Sequence, residues 1–129
     1  MSKIEHFAIF AHDLDALRDF YTEVFGLRVL LDNSRAPVRG YFLTDDAGSV
    51  IEIIERPPHE PAPPTRYGCH VAMWVDDYDA MRHALEARGA SFETETEVHS
   101  ETFRTGFFAD PAGNRTQIVW RARPLGGGS

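Results

Sequence analysis

Two histidines occupy matching places in two similar stretches of this chain. When "EHFAIFAHDLDALR" (residues 5–18) is moved 64 positions along the sequence, it falls on "CHVAMWVDDYDAMR" (69–82) and aligns His6 with His70. A single histidine in a strand is more often a hydrogen-bonded core residue, but imidazole is also the commonest metal ligand. Because the histidine recurs in register, we expect His6 and His70 to share a chemical role.

A glutamate and a glutamine recur in the same way, at an offset of 65. The segment "DDAGSVIEII" (45–54) falls on "DPAGNRTQIV" (110–119), which aligns Glu52 with Gln117. Apolar residues flank Glu52 on both sides, and a buried carboxylate is costly unless it is paired or bound to a metal. The alternatives are a strand-edge position in solvent or an ion pair with Arg28 or Arg39. Gln117 alone, in a half-exposed strand, would be unremarkable.

These four side chains offer two imidazole nitrogens, one carboxylate and one amide oxygen. If the two repeats are related by an approximate twofold axis, the four groups can converge on one divalent metal. A nitrogen and oxygen set without thiolate favours Fe(II), Mn, Ni, Co or Zn over a closed structural zinc site. The other histidines are expected at the surface: His12, His59, His83 and His99.

The repeats also predict the elements that position these groups. Alternating apolar residues predict a first strand over 3–10, and Asp13 or Asp15 offers an N-cap for a helix that ends at Gly26. Further strands are predicted at 27–32, 39–44 and 49–55. The second repeat predicts a strand at 68–75, a helix from about Asp77 to Arg88 before Gly89, and strands near 91–97, 103–109 and 115–120.

We therefore predict an α+β fold made of two βαβββ modules. The modules span 1–56 and 66–121, joined by the proline-rich segment "PPHEPAPPT" (57–65), which is typical of a stiff extended linker. Residues 122–129 form a tail without a pattern. We expect the two modules to make one structural domain.

Composition limits the kinds of partner. The 129 residues carry a formal net charge of −7 and scattered basic residues, which argues against nucleic-acid binding. No apolar run approaches the roughly 20 residues of a membrane helix, and "MSKIEHF" is unlike a secretory leader. With Cys69 as the single cysteine, no internal disulfide is possible, so a cytoplasmic protein with a small-molecule partner is expected.

Aromatic residues near the candidate ligands suggest a substrate pocket. Phe10 and Trp74 share strand faces with His6 and His70, so they are expected to line a pocket over the metal. Three further aromatic residues are assigned to the same pocket, with an ordinary core position as the alternative: Tyr41, Phe103 and Phe107.

Nearly the whole chain, residues 4–121, resembles the vicinal oxygen chelate superfamily, which includes glyoxalase I, methylmalonyl-CoA epimerase, extradiol dioxygenases, fosfomycin-resistance transferases and bleomycin-resistance proteins. The opening "HFAIFAHDLDALRDFYTEVFGLRV" is similar to the family's first strand and helix, and "FFADPAGNRTQIVW" to its closing turn and ligand strand. The resemblance implies paired βαβββ modules whose mixed sheets curl around a central metal pocket. It also implies a homodimer with each site shared between subunits.

Carried over position by position, the resemblance makes His6, Glu52, His70 and Gln117 the four metal ligands. The departure is Gln117, where many members have glutamate. In glyoxalase-like lyases that last glutamate commonly transfers a proton, so Glu52 would be the catalytic base here.

The predicted ligands and the family resemblance are compatible with three functions. The first is an Fe(II)-dependent dioxygenase or other oxygenase that acts on an aromatic or polyketide-like molecule, since two histidines and one carboxylate leave room for oxygen and a chelating substrate. The second is a glyoxalase-like lyase or an epimerase, in which the metal stabilises an enediolate. The third is a metal-free antibiotic-binding resistance protein, which would have less reason to keep four polar ligand positions.

Overall fold

A computed structural model of the chain describes residues 1–63 and 67–126. The contacts divide the chain into two compact units, Met1–Pro63 with Pro111–Asn114 and Pro64–Asp110 with Arg115–Ser129. The boundary therefore lies near that of the predicted modules. The turn of residues 111–114 belongs to the first unit, where the Asn114 amide nitrogen donates to the Phe10 carbonyl at 3.0 Å.

Each unit contains one helix and one four-stranded mixed sheet. The first unit runs β1 Phe7–Ala11, α1 Leu14–Phe25, β2 Arg28–Asn33, β3 Gly40–Thr44 and β4 Val50–Glu55. The second unit runs β5 Val71–Trp74, α2 Tyr78–Ala87, β6 Val98–His99, β7 Phe103–Ala109 and β8 Arg115–Arg121. The sheet orders are β1-β4-β3-β2 and β5-β8-β7-β6, with the first pair of each sheet parallel and the others antiparallel. This confirms the α+β fold and the βαβββ order.

Both helices begin and end as their sequences predict. The Asp13 carboxylate accepts the Ala16 backbone N–H at 3.1 Å, so Asp13 is the N-cap of α1. Gly26 ends α1 in the left-handed conformation, with φ of 71°. Asp77 caps α2 in the same way through the Ala80 N–H at 3.0 Å.

An ion pair repeated in the two units joins the start of each helix to its sheet. Asp15 on α1 lies 3.3 Å from Arg39, the residue before β3. Asp79 on α2 lies 3.7 Å from Arg104 on β7. These contacts give a structural reason for the recurrence of Asp15 as Asp79 in the two similar stretches.

Each unit buries a tyrosine ring where its helix meets its sheet. The sheet supplies this tyrosine in the first unit, and the helix supplies it in the second. In the first unit Tyr41 on β3 is buried, and its hydroxyl donates to Asp15 at 3.0 Å. At the matching position of β7 lies Gly106, where an added Cβ would meet the Tyr78 hydroxyl of α2 at 2.5 Å. Burial raises the pKa of the Tyr78 hydroxyl above its ordinary value.

Two strands start later than predicted, and both candidate histidines precede them. β1 begins at Phe7 instead of residue 3, and β5 begins at Val71 instead of residue 68. Each is an edge strand whose parallel partner begins directly after a tight turn. Because Phe7 pairs with Ile51 and Val71 with Thr116, little partner strand remains for earlier residues.

The strand predicted near 91–97 is not formed. Phe92 makes an isolated bridge to Phe108, a 3-10 turn covers Thr94–Thr96, and β6 holds two residues. Side-chain ion pairs hold this segment instead: Glu93 binds Arg115, and Glu97 binds Arg82. As a consequence, His99 lies in β6, where it is exposed, and not in a loop.

The first part of the predicted linker packs on the first unit. Residues 57–60 form a turn in which the Glu60 N–H donates to the Pro57 carbonyl at 3.0 Å. The His12 imidazole lies 2.6 Å from the Glu60 carbonyl. The end of the predicted linker, 64–66, and the last tail residues, 127–129, lie outside the described residues. In the described part of the chain, neither helix has the length and apolar character needed to cross a bilayer.

Candidate metal centre

His6 and Glu52 come together in the first unit. His6 Nε2 lies 3.3 Å from Glu52 Oε1, and both side chains are partly exposed. This separation is longer than the roughly 2.7–2.9 Å of a charge-assisted hydrogen bond. Two ligands that each lie about 2.1 Å from one ion are about 3.0 Å apart at a right angle and about 3.4 Å apart at the tetrahedral angle, and the observed separation falls between these values. The pair therefore has the spacing of two ligands of one cation.

The second nitrogen of His6 has a carboxylate partner. His6 Nδ1 lies 2.9 Å from Glu5 Oε1, and Glu5 is exposed. When Nδ1 donates to a carboxylate, the proton is fixed there and the Nε2 lone pair is left for a metal. The arrangement around His6 thus fits a metal ligand.

The second unit brings an amide and an imidazole to one aromatic ring. Gln117 is 9% exposed, and its directly paired residue across the antiparallel ladder is Phe107. The His70 ring meets the Phe107 ring edge to face, with centroids 5.0 Å apart. Among the described residues, the His70 imidazole has this ring contact but no hydrogen bond or ion pair.

The two units place their candidate residues in identical register. Ala8, two residues after His6, pairs with Glu52, while Ala72, two residues after His70, pairs with Gln117. The ring across from Glu52 is Phe42, which meets His6 edge to face at 5.2 Å, as Phe107 meets His70. Each unit therefore carries one half-site, built from a histidine, an oxygen donor and a phenylalanine.

Both half-sites lie on the sheet face opposite the helix. Side chains alternate along a strand, so Glu52 and Phe42 point away from Ile53 and Tyr41, which lie on the helix side. Tyr41 is accordingly on the other face from Glu52, with its hydroxyl accepting from Arg18 of α1 at 2.8 Å. The structure does not bring this predicted pocket residue to the half-site.

The other four predicted pocket aromatics lie on half-site faces. Phe10 alternates with Ala8 and is 40% exposed, and Trp74 alternates with Ala72 and is 44% exposed. Phe103 and Phe107 share the Gln117 face of β7. An arginine covers each of these two rings: the guanidinium carbon of Arg121 lies 4.4 Å from the Phe103 centroid, and that of Arg115 lies 3.8 Å from the Phe107 centroid.

Arg115 is held by a carboxylate while it covers Phe107. Its Nε and terminal nitrogen each lie 2.9 Å from a Glu93 oxygen, a bidentate pair that is mostly buried. Glu93 and Arg115 were not predicted from sequence because the two residues come together only in the folded chain. Phe42 was not predicted either, although the 65-residue repeat that aligns Glu52 with Gln117 aligns Phe42 with Phe107.

The donor atoms of the two half-sites are of types that a divalent metal accepts. No group of three or more His, Cys, Asp or Glu side chains in residues 1–63 and 67–126 is close enough to hold an ion. The first half-site supplies one imidazole and one carboxylate at ligand spacing, and the second supplies one imidazole and one amide. These are donor types that Fe(II), Mn, Co, Ni and Zn accept.

Comparison with known proteins identifies the fold and the family. The model of the glyoxalase/bleomycin resistance protein/dioxygenase superfamily matches residues 3–118. No curated protein sequence matches the chain.

Several solved structures are similar to this chain in fold. The antibiotic-binding protein TnmS3 from Streptomyces sp. CB03234 is 22% identical, with a TM-score of 0.72 over 95% of this chain and 98% of that one. The fosfomycin resistance protein FosX from Listeria monocytogenes is 19% identical, with a TM-score of 0.73 over 97% and 94%. A lactoylglutathione lyase from Agrobacterium tumefaciens is 25% identical, with a TM-score of 0.65 over 92% and 93%.

The superfamily contains both enzymes and binding proteins, and its members commonly bind a divalent metal. With the family model covering most of the sequence and two βαβββ units present in the structure, the chain belongs to the glyoxalase/bleomycin resistance protein/dioxygenase superfamily.

Proposed function

We propose that this protein is a divalent-metal-dependent enzyme acting on a small molecule, with His6, Glu52, His70 and Gln117 as the metal ligands. The reaction we favour is an Fe(II)-dependent oxygenation of an aromatic or polyketide-like substrate. Two histidines and one carboxylate are the ligand set of many non-haem Fe(II) oxygenases, and a bound Fe(II) would supply oxygen activation and hold a chelating substrate.

The observation that carries the proposal is the 3.3 Å separation of His6 Nε2 and Glu52 Oε1. His70 and Gln117 occupy the same strand register in the second unit. Glu5 supports the proposal because its carboxylate lies 2.9 Å from His6 Nδ1, where it favours a proton on that nitrogen and leaves Nε2 for a metal. A structural role alone would not require two histidines and two oxygen donors at matching positions of both units.

Gln117 argues against a lyase that uses two acids. Its amide nitrogen lies 2.5 Å from the Thr105 hydroxyl, and an amide does not take up a proton near neutral pH. Glu52 is then the one carboxylate among the four proposed ligands, and it is the group available to move a proton. A glyoxalase-like lyase or epimerase remains the alternative within metal-dependent chemistry.

Metal content of purified protein tests the proposal. Metal-free protein is reconstituted with Fe(II), Mn, Co, Ni or Zn, desalted, and measured by elemental analysis. We expect about one ion per chain in the unsubstituted protein and strong loss in His6→Ala and in His70→Ala. His83→Ala is the control, since His83 is exposed on α2. Protein that retains none of the five metals would overturn the proposal.

The reaction class needs a second measurement. Oxygen uptake by the Fe(II) form with a panel of catechols and hydroxylated polyketides is the result we expect. Consumption of the methylglyoxal–glutathione hemithioacetal without oxygen uptake would assign the lyase instead. In both assays Glu52→Gln should lose activity, whereas His83→Ala should not.

A metal-free antibiotic-binding protein is the second candidate function. It is favoured by the exposed aromatic rings on both half-site faces, Phe10 and Trp74, and by similarity to the antibiotic-binding TnmS3. Such a protein would bind an aromatic antibiotic equally well before and after metal removal. Loss of that binding in Trp74→Ala, with no change in His6→Ala, would favour this function.

A further inference from the structure

Thr105 contacts Gln117, the one proposed ligand whose side chain ends in two different groups, an oxygen and an NH2. It is buried on β7, 3% exposed, and shares the Gln117 side of the sheet. The Gln117 amide nitrogen lies 2.5 Å from Thr105 Oγ1, and Thr105 Oγ1 lies 3.1 Å from the Ile118 carbonyl oxygen. The hydroxyl therefore stands between an amide and a carbonyl.

The donors and acceptors that these groups carry fix the direction of both hydrogen bonds. A carbonyl oxygen only accepts, so the single hydroxyl proton of Thr105 is donated to Ile118. Thr105 Oγ1 must then accept from Gln117, and only the NH2 end of the amide donates. The Gln117 oxygen is consequently the end left for another partner.

The first unit has no hydroxyl side chain at the position that corresponds to Thr105. Gly40 is the residue of the first unit that corresponds to Thr105 in the 65-residue repeat. A Cβ at Gly40 would meet the Ile53 carbonyl at 2.9 Å. A carboxylate needs no such hydroxyl because both of its oxygens accept. The chain thus has threonine beside its glutamine and glycine beside its glutamate.

We propose that Thr105 is a positioning residue that holds the Gln117 amide so that its oxygen, and not its NH2 group, is presented to the metal. This inference rests on the proposed metal-dependent function. An NH2 group carries partial positive charge and has no lone pair for a cation, so a flipped amide would remove one ligand. Partners of this kind commonly change metal affinity about 10- to 100-fold when they are removed.

The orientation of the amide is measurable in metal-free protein. Gln117 is the only glutamine in the chain, so side-chain ¹⁵N-glutamine labelling gives one pair of NH2 resonances. We expect one proton of the pair to be shifted downfield, to exchange slowly with solvent, and to show a nuclear Overhauser effect to Thr105. In Thr105→Val these features should be lost.

Metal affinity measured by equilibrium dialysis tests the consequence. We expect Thr105→Val and Thr105→Ala to weaken binding about 10-fold or more, and Thr105→Ser to restore it. In the Gln117→Glu background, Thr105→Val should have little effect because a carboxylate has no wrong end. Thr44→Val is the control: it removes a buried hydroxyl of the first unit that bonds to the Ser49 carbonyl.

The outcomes separate this inference from the function on which it rests. If the unsubstituted protein binds metal and folded Thr105→Val or Thr105→Ala binds equally well, the positioning role is overturned and the metal-dependent function stands. The role is also overturned if the effect of Thr105→Val persists with glutamate at 117. If the unsubstituted protein binds no metal, the proposed function and this role fail together, whatever the amide resonances show.

Discussion

Gly106 lies where the Tyr78 ring approaches β7 from α2. A Cβ at this position would meet the Tyr78 hydroxyl at 2.5 Å and the Phe92 ring at 2.9 Å, so a neighbour must move. We expect Gly106→Ala to lower the free energy of unfolding by about 1–3 kcal/mol, measured by urea denaturation. The reason is overpacking, since the glycine has no left-handed φ in this structure.

Two variants control this prediction. Gly68→Ala adds the same methyl group where no heavy atom of the described residues lies within 4 Å, and it should change the free energy of unfolding by less than about 0.5 kcal/mol. Tyr78→Leu copies the first unit, in which Leu14 occupies the corresponding helix position. In that background Gly106→Ala should cost less, and an equal cost would show that Tyr78 is not the obstacle.

The matching strand positions of the four candidate ligands could be predicted from sequence, but the contacts around them could not. The repeat aligns His6 with His70 and Glu52 with Gln117, and the structure places each pair in identical register. The sequence contains no sign that Thr105 bonds to Gln117. That contact joins neighbouring strands, and its donor direction depends on a third group, the Ile118 carbonyl.

At the scale of the elements, an aspartate caps the N-terminus of each helix, and substitution of Asp77 tests how much this cap stabilises the protein. Asp77→Ala removes the acceptor of the Ala80 N–H, and we expect a loss of about 1 kcal/mol in the free energy of unfolding. Asp77→Asn should retain most of the stability, because the amide oxygen accepts the same bond. If both variants lose equally, the charge of Asp77 near the helix N-terminus matters more than the cap.

Element types were predictable where the local pattern dominates. Apolar alternation and turn residues identify β7 over 103–109, which agrees with the structure at both ends. The segment near 91–97 was mispredicted because its conformation depends on distant partners, Arg115 for Glu93 and Arg82 for Glu97. Alternation along a strand likewise cannot say which face a helix covers, which is why Tyr41 was assigned to the pocket.

For the whole molecule, the proposed metal site can be completed in two ways, within one chain or between two chains. Each unit supplies one half-site, and the proposal inherited from the family is a homodimer with shared sites. Paired variants that each disable a different half-site can decide this. His6→Ala removes the imidazole of the first half-site, and His70→Ala removes that of the second.

Co-expression of these two variants with different affinity tags tests the shared site. If sites are shared, a purified mixed dimer has one site with both defects and one intact site that joins the unaltered half of each chain. We therefore expect about half an ion per chain in the mixed dimer, against about one in the unsubstituted protein and almost none in either variant alone. Elemental analysis after tandem affinity purification gives the value.

The design separates a shared site from a site within one chain because only the shared arrangement can regenerate an intact set of ligands. A mixed dimer with no more metal than the single variants would assign each site to one chain, and a monomeric unsubstituted protein would exclude sharing. Mixed dimers of two differently tagged His6→Ala chains control for metal bound at the tags or elsewhere, since both of their sites lack the same imidazole. Restoration in the His6→Ala and His70→Ala pair alone would therefore mean that dimerisation completes the metal centre.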